Sequence, residues 1–431
     1  MINPLSSPNQ YSCGFDEGAP LQYCCQNEMA SELLGVRPHL QIGFHTSKIN
    51  SSGMLPQNLR IEDSSLLPIA EKVQVGERLN FAEGVALYNS TDLLALGYLA
   101  HQVRVKLHGM RTYFNVNRHI NPTNVCVASC KLCAFGRKPE ATGAYTMALD
   151  EAFRIAGENW SEAVTEFHIV GGLHPDLPFQ YYLDLLRGLK QRFPRVHLKG
   201  FTAVEIGYFS HLTRLSIREV LARLKDAGLD SLPGGGAEIF APAVRRLICD
   251  HKIGAYTWLK VHRLAHEMGM HSNATMLYGH IESAEDRVDH LLQLRNLQDE
   301  THGFQTFVPL AFHPANTELG KLVERAETSG FMDLKNVAVA RLLLDSFPHI
   351  KAYWIMMTPR VAQVALRFGA DDLDGTVVEE KIYHDAGAQT PQAMTRAQLV
   401  RLIHEAGCEP CERDTLYRPV TRTETSVTVQ L

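Results

Sequence analysis

Three cysteines stand within eight residues of the chain, in the segment VCVASCKLCAF. They are Cys126, Cys130 and Cys133. Thiolates bind soft or borderline metals, so this crowding indicates a metal centre or redox chemistry. A structural zinc site normally has four ligands, and the nearest candidates for the fourth are His119 and His174, neither at zinc-finger spacing. An iron–sulfur cluster held by only three thiolates would instead keep one iron open to a substrate.

Short β-rich runs alternate with amphipathic helices from residue 112 onward. Repeated strand–helix units imply a parallel sheet, because each right-handed crossover needs its helix. Eight such strands in sequence predict the α/β class and a closed (β/α)8 barrel of the TIM type. The predicted strands are residues 112–120, 166–172, 197–203, 229–234, 271–278, 304–310, 351–357 and 375–382.

Capping residues mark the helices between these strands. Ser216 and Glu219 predict a capping box for a helix that stops at Gly228, and Thr395 with Gln398 predicts a second one. The three-cysteine loop comes directly after the first predicted strand. Because active sites of such barrels lie at the carboxyl ends of the strands, we expect the loop at that face.

Composition places limits on the function. The chain has 431 residues, 45% hydrophobic and 21% charged, and a net charge of −5. This balance implies no general affinity for nucleic acid or acidic membranes. The sequence has no apolar run long enough for a transmembrane helix and no secretory signal at its start, so we expect a cytoplasmic protein. Nine cysteines are too few for a disulfide scaffold in a chain of this length.

The chain divides into four predicted parts. They are an extension (1–62), a helical segment closing on Gly109 (63–111), the barrel with C-terminal helices (112–420) and a tail (421–431). The extension is rich in Ser, Asn, Pro and Gly, lacks periodicity and is predicted to be poorly ordered. Its Cys13, Cys24 and Cys25 are interpreted as unpaired thiols.

The segment CVASCKLC resembles the CxxxCxxC signature of radical S-adenosylmethionine (SAM) enzymes. The resemblance implies that Cys126, Cys130 and Cys133 hold a [4Fe–4S] cluster and that SAM binds its open iron. Leu132 stands where the family usually has an aromatic residue, and Phe135 is a nearby aromatic substitute. The alternative from the residues alone is a zinc-binding barrel protein with a distant histidine as the fourth ligand.

Other predicted strand ends resemble SAM-binding segments of the same family. The resemblance implies contacts from Gly171 and Gly172 in IVGGLHP, from Glu205 in FTAVEI, and from Gly279 and Ile281 in MLYGHIE. Each has an alternative interpretation. The glycines could serve a tight turn, Glu205 could be a solvated loop acid, and His280 beside Gly279 could be a structural hydrogen-bonding group.

The segments NRHINPTNVC, LPGGGAEIF, TMLYGHIE, PLAFHPANT and DDLDGTVVEEKI resemble the radical SAM group that makes menaquinone precursors and the deazaflavin cofactor. Within it, the chain is most similar to the aminofutalosine branch in the segments LPGGGAEIF, FHIVGGLHP and ERDTLYRP. That implies addition of the 5′-deoxyadenosyl radical of SAM, a consumed co-substrate, to 3-[(1-carboxyvinyl)oxy]benzoate. It also implies an electron donor such as flavodoxin or ferredoxin. The alternatives are the sister activities, dehypoxanthine futalosine cyclase or the deazaflavin FO synthase subunit.

Such a substrate has two carboxylates and a ring, so its pocket needs cations and apolar walls. Arg118, Arg137, Lys199 and Arg360 are at or near predicted strand ends, and each could equally form a surface salt bridge. Cys408 and Cys411 in GCEPCERD have metal-like spacing but are interpreted as ordinary exposed thiols.

Overall fold

A computed structural model describes residues 60–158, 164–324, 327–422 and 427–429. The predicted extension lies outside the described residues except for its last three, and so do Cys13, Cys24 and Cys25. The strands, in chain order, are β1 (Arg111–Asn115), β2 (Asn117–Ile120), β3 (Glu166–Ile169), β4 (His197–Gly200), β5 (Ser231–Leu232), β6 (His271–Tyr278), β7 (Phe304–Ala311), β8 (His349–Ile350), β9 (Asp372–Gly375), β10 (Glu409–Glu412), β11 (Val420–Arg422) and β12 (Val427–Val429).

Seven parallel strands, β2 to β8, form one curled sheet in sequence order. The segment around β9 spans the gap between its first and last strands. The amide of Ala352 donates to the carbonyl of Asp372 at 2.8 Å, and the amide of His119 donates to the carbonyl of Val378 at 2.9 Å. The predicted α/β barrel is confirmed, because every crossover between these strands carries at least one helix.

Three predicted strands are split, replaced by a helix or displaced, while the others differ only at their ends or agree. The run 112–120 is broken at Val116 into β1 and β2, which belong to different sheets: β1 pairs with β9 and β10, and β2 pairs with β3. The predicted strand 351–357 is wrong, since a helix begins at Trp354. Its apolar, aromatic run is buried, and periodicity cannot distinguish a short buried strand from a buried helix. The last strand is 372–375, earlier than the predicted 375–382.

Helices cover the outside of the sheet, and both predicted capping boxes are confirmed. The hydroxyl oxygen of Ser216 accepts from the amide of Glu219, and Thr395 accepts from Gln398 in the same way. The helices are α1 (Leu67–Val75), α2 (Phe81–Asn89), α3 (Leu93–His108), α4 (Leu149–Gly157), α5 (Phe179–Arg192), α6 (Ala203–Thr213), α7 (Ile217–Asp226), α8 (Pro242–Ile248), α9 (Ala255–Glu267), α10 (Ala284–Thr301), α11 (Glu318–Val323), α12 (Gly330–Leu343), α13 (Trp354–Ala365), α14 (Ile382–Asp385) and α15 (Arg396–Glu405).

The predicted N-terminal helical segment forms α1, α2 and α3, of which α2 and α3 pack against the barrel helices α10 and α12. Helix α3 ends at Gly109, as predicted, and lies against α12. Its fully buried Arg104 donates to the carbonyl of Arg111 at 2.6 Å and to the hydroxyl of Thr112 at 2.7 Å, which ties the helix to β1. Among the described residues, no helix is long and apolar enough to cross a bilayer.

Candidate active site at the carboxyl ends of the strands

A cavity of about 290 Å³ opens at the carboxyl ends of the barrel strands. Its rim carries the three cysteines of the loop after β2. Its walls are largely apolar and include Phe135 and Leu310. The sheet places these groups together because parallel strands end at one edge. The predicted location of the three-cysteine loop is therefore confirmed.

Backbone hydrogen bonds hold the cysteine loop from several sides. The amide of Cys126 donates to the carbonyl of Arg137 at 2.8 Å, and the amide of Val127 donates to the carbonyl of Leu173 at 2.9 Å. The carbonyl of Lys131 accepts from Leu319 at 2.8 Å. The loop is thus fixed by its main chain, which leaves the three thiols free and partly exposed at the cavity.

Burial raises the pKa of the Cys130 thiol to about 12. A thiol in this setting becomes a thiolate when a bound cation compensates for the lost hydration. Three cysteine sulfurs on one loop are a donor set suited to iron, and their number matches three of the four ligands of an iron–sulfur cluster.

The two glycines after β3 let the strand end approach the cysteine loop. A Cβ atom on Gly172 would lie 2.2 Å from the carbonyl oxygen of Val125, and one on Gly171 would lie 3.1 Å from that of Thr123. The amide of Gly172 donates to Thr123 at 2.8 Å. Both glycines line the cavity, so they serve close packing and also border the site.

Glu205 lies in the first turn of α6 and reaches into the same cavity. Its carboxylate accepts from the amide and hydroxyl of Thr202 at 2.7 and 2.8 Å, and from the amide of Gly171 at 3.0 Å. The side chain is only 2% exposed, so the alternative of a solvated loop acid is wrong. Burial raises the pKa of Glu205 to about 7.

Gly279 and Ile281 are not among the residues that line the cavity. Gly279 has φ +89° and forms a turn whose amide donates to Glu282 at 2.6 Å. His280 is fully buried, and its ring bonds the carbonyl of Leu277 at 3.1 Å. The structural interpretation of His280 is therefore favoured, and this segment supports the wall from behind.

Of the four predicted cations, only Lys199 lines the cavity. Arg118 points away from it and donates to the carbonyl of Ile155, while Arg137 bonds the carbonyl of Gly136 at 3.2 Å within the loop. Arg360 is exposed on α13. The prediction that Arg118 lines the pocket is wrong because adjacent residues of a strand face opposite sides, and its neighbour His119 faces the cavity.

The floor of the cavity is polar, and most of it escaped the sequence reasoning. Cross-strand register sets His119 beside His168, and His168 beside Lys199. Lys199 pairs with Glu166 at 2.7 Å. A second buried lysine, Lys351, pairs with Asp374 at 2.6 Å, and a third, Lys252, pairs with Glu238 near the cysteines. The sequence signal that could have predicted this polar floor is the presence of polar residues at alternate positions of strands that are otherwise buried.

Two predicted segments have different positions. Glu238 and Gly236 of LPGGGAEIF line the cavity. ERDTLYRP instead lies at the amino ends of the strands, where Arg413 pairs with Asp372 at 2.6 Å and Tyr417 stacks on His349. The prediction of exposed thiols after α15 is wrong for Cys408, which is 4% exposed; Cys411 is intermediate.

Comparison with known proteins identifies the family. A model described as the radical SAM superfamily matches residues 120–294, and a model of the CofH/MqnC C-terminal region matches residues 301–426. An aminodeoxyfutalosine synthase of Thermus thermophilus is 52% identical over 361 residues, which are 84% of this chain and 97% of that protein. The chain belongs to the radical SAM superfamily. Its cofactors are therefore a [4Fe–4S] cluster and SAM, and it is an enzyme.

Other relatives are also similar to this chain in sequence. An aminodeoxyfutalosine synthase of Streptomyces coelicolor is 50% identical, over 81% of this chain and 92% of its own. A cyclic dehypoxanthine futalosine synthase of Halalkalibacterium halodurans is 36% identical over 81% of this chain and 93% of its own.

Two solved structures share the fold. Methylornithine synthase has a TM-score of 0.62 at 16% identity, covering 79% of this chain and 97% of its own. The hydrogenase maturase HydG of Carboxydothermus hydrogenoformans has a TM-score of 0.61 at 18% sequence identity, and the match covers 81% of this chain and 80% of that chain. At such low identity these likenesses show the barrel architecture and nothing of the substrate.

Proposed function

We propose that this radical SAM enzyme transfers the 5′-deoxyadenosyl group of SAM to 3-[(1-carboxyvinyl)oxy]benzoate and makes 6-amino-6-deoxyfutalosine, in menaquinone biosynthesis by the futalosine route. The observation that carries the proposal is the gradient of identity. Relatives named aminodeoxyfutalosine synthase are 50–52% identical to this chain. Relatives named cyclic dehypoxanthine futalosine synthase or 5-amino-6-(D-ribitylamino)uracil–L-tyrosine 4-hydroxyphenyl transferase are 36–39% identical. The net reaction consumes SAM, the enol ether and one water, and it yields the product, methionine, bicarbonate and a proton.

Cys126, Cys130 and Cys133 hold the cluster in this proposal, each through its thiolate. Three protein ligands leave one iron for SAM, and the bound cluster supplies the electron that cleaves SAM to a 5′-deoxyadenosyl radical. The main-chain bonds of the loop hold the backbone that carries the three sulfurs. The loop's partial exposure leaves a path for an electron donor such as flavodoxin or ferredoxin.

SAM lies between the cysteine loop and the ends of β3 and β4. Gly171, Gly172 and Glu205 border that space, and the buried carboxylate of Glu205 is an acceptor for an amine or a hydroxyl group of SAM. The turn with Gly279 and Ile281 contributes by supporting the wall behind it, with no direct contact required. The Oδ1 atom of Asn121 is buried at the cavity without a hydrogen-bond partner in the described residues, so it is a further acceptor.

The apolar upper cavity suits the reaction because a primary carbon radical attacks many C–H bonds and is quenched by stray donors. Val308, Leu310 and Phe312 offer flat apolar contact for an aromatic ring and exclude water. Addition competes with hydrogen abstraction and succeeds only where the double bond is held close to the radical carbon, at roughly 3–3.5 Å. A narrow site of about 290 Å³ favours such confinement.

The sister activities remain the second candidate, because their named relatives also align over most of the chain. The zinc-binding alternative is set aside by membership of the radical SAM superfamily. We also place the reaction in the cytoplasm, where an enzyme whose described cysteines are all free thiols stays reduced.

Anaerobic turnover tests the proposal. The reconstituted enzyme is given a strong reductant, the enol ether and SAM labelled in its ribose, and products are weighed by mass spectrometry. The label is expected in 6-amino-6-deoxyfutalosine, with little 5′-deoxyadenosine. If saturating enol ether leaves the label only in 5′-deoxyadenosine, the enzyme belongs with the hydrogen-abstracting sisters. Dehypoxanthine futalosine and the deazaflavin precursors, assayed in parallel, then identify which sister.

A further inference from the structure

The floor of the cavity is built from neighbouring positions on separate strands. Backbone register aligns His119 of β2, His168 of β3 and Lys199 of β4 in one row, and Lys351 follows β8 and lines the same cavity. All four line the cavity, on or directly after the barrel strands, whereas the cysteine loop begins beyond the end of β2. They are therefore placed to contact the far end of a bound molecule.

The two histidines form a rigid neutral pair. Their rings stack with centroids 4.5 Å apart and planes 7° from parallel. Burial lowers the pKa of His119, and it lowers that of His168 well below the usual range. His119 is 6% exposed, yet its Nε2 atom is buried with no hydrogen-bond partner in the described residues. An unpaired buried polar atom at a cavity wall is costly unless a ligand or water satisfies it.

The lysines supply hydrogen-bond donors without a net positive charge. Lys199 lies 2.7 Å from Glu166, and Lys351 lies 2.6 Å from Asp374. Each ammonium group has three N–H donors, and each is paired with one carboxylate here. The remaining donors can satisfy an oxygen anion, since charge-assisted hydrogen bonds in a dry site are stronger than neutral ones.

We propose that His119, His168, Lys199 and Lys351 form a carboxylate-binding floor that anchors the ring carboxylate of an aromatic substrate. The inference rests on the proposed function for the identity of that substrate. In the enol ether, the ring carboxylate and the vinyl group lie at opposite ends of the molecule. A ring carboxylate on the floor stacks the ring between the apolar walls and directs the double bond toward the cysteine loop. The floor thereby sets which carbon meets the radical.

Binding without turnover tests the floor. Reconstituted enzyme with SAM and no reductant is titrated calorimetrically with the enol ether, and then with its analogue whose ring carboxylate is a carboxamide. The wild type is expected to prefer the acid by about tenfold or more, because the amide removes the negative charge that the lysine ammonium groups attract. His119→Phe keeps the stack but removes the donor. The pair Lys351→Met with Asp374→Asn removes the ammonium without leaving a buried carboxylate unpaired.

Both variants are expected to reduce the acid preference to less than about threefold. His262→Phe is the control, because His262 is also a buried histidine, on α9, and does not line the cavity. It is expected to keep the wild-type preference. An unchanged preference in both floor variants, or a wild type that binds acid and amide equally or binds neither, overturns the floor. A floor-dependent preference without formation of 6-amino-6-deoxyfutalosine supports the floor and refutes the proposed function instead.

Discussion

The carboxylate of Glu205 accepts a hydrogen bond from the amide of Gly171 at 3.0 Å. This contact joins the first turn of α6 to the end of β3, directly beside the cysteine loop. The same carboxylate completes the capping box of its own helix with Thr202. One buried acid therefore fixes the relative positions of two strand ends that border the cavity, and changes to it are expected to affect stability as well as binding.

Glu205→Gln is expected to change the pH dependence of stability. An ordinary glutamate ionises near pH 4.5, and burial raises the pKa of Glu205 to about 7. Between these values the native protein holds a proton that the unfolded chain has lost, so the stability from Glu205 is full below about pH 4.5 and declines as pH rises to about 7. The decline is on the order of 3 kcal/mol at most. Denaturant unfolding at pH 5 and pH 8 measures it.

The matched control is Glu219→Gln, because Glu219 forms the same kind of capping box on α7 but is exposed and its pKa is lowered, first by the Ser216 side-chain hydrogen bond. The stability that Glu219 contributes should therefore be lost as pH falls, the opposite of the pH dependence expected for Glu205. Equal pH slopes for wild type and Glu205→Gln would show that Glu205 does not hold the proton.

Each cluster cysteine is expected to be indispensable for iron. Cys126→Ala, Cys130→Ala and Cys133→Ala should each lose most of the iron and the cluster absorbance after anaerobic reconstitution, while unfolding stays cooperative because the site is on a loop. The control is the double variant Cys408→Ser, Cys411→Ser, which should keep the wild-type iron content. Full iron in a single loop variant would exclude that cysteine as a ligand.

Gly172→Ala is expected to lower stability by about 1–3 kcal/mol, since overpacking displaces backbone. Its new Cβ atom would meet the carbonyl of Val125 at 2.2 Å and push the cysteine loop outward. The iron content after reconstitution should fall with it. Gly254→Ala is the control, because a Cβ atom there meets nothing within 4 Å. Equal unfolding free energies for the two variants would contradict the close packing.

Removing one partner of the buried pair Lys199–Glu166 is expected to destabilise the protein more than removing both. Lys199→Met should cost about 3–5 kcal/mol, because it leaves a buried carboxylate without its partner. Adding Glu166→Gln should recover much of that loss. The exposed pair Arg154–Glu158 is the comparison, and Arg154→Met should change stability by less than about 1 kcal/mol. If the double variant is no more stable than Lys199→Met, the pairing does not explain the cost.

The cluster loop could be predicted because its three cysteines are close together in the sequence. The grouping of the floor residues could not be predicted, because it depends on the register of separate strands. Cys126, Cys130 and Cys133 are close in the sequence, and the first strand before them set their place in the barrel. His119, His168 and Lys199 come from three separate strands, so only register brings them together. Lys351 was hidden further because the run after it folds as a helix instead of a strand.

The small sheet of β10, β1 and β9 has a consequence for synthesis of the chain. Strand β1 begins at Arg111, but its two neighbours begin at Asp372 and Glu409, so these pairings join residues about 260 and about 300 positions apart. On the ribosome, the first strands emerge long before the segments that complete this sheet. Nascent chains released before β10 should therefore expose an unpaired strand edge, and they should need chaperones and be cut rapidly by proteases.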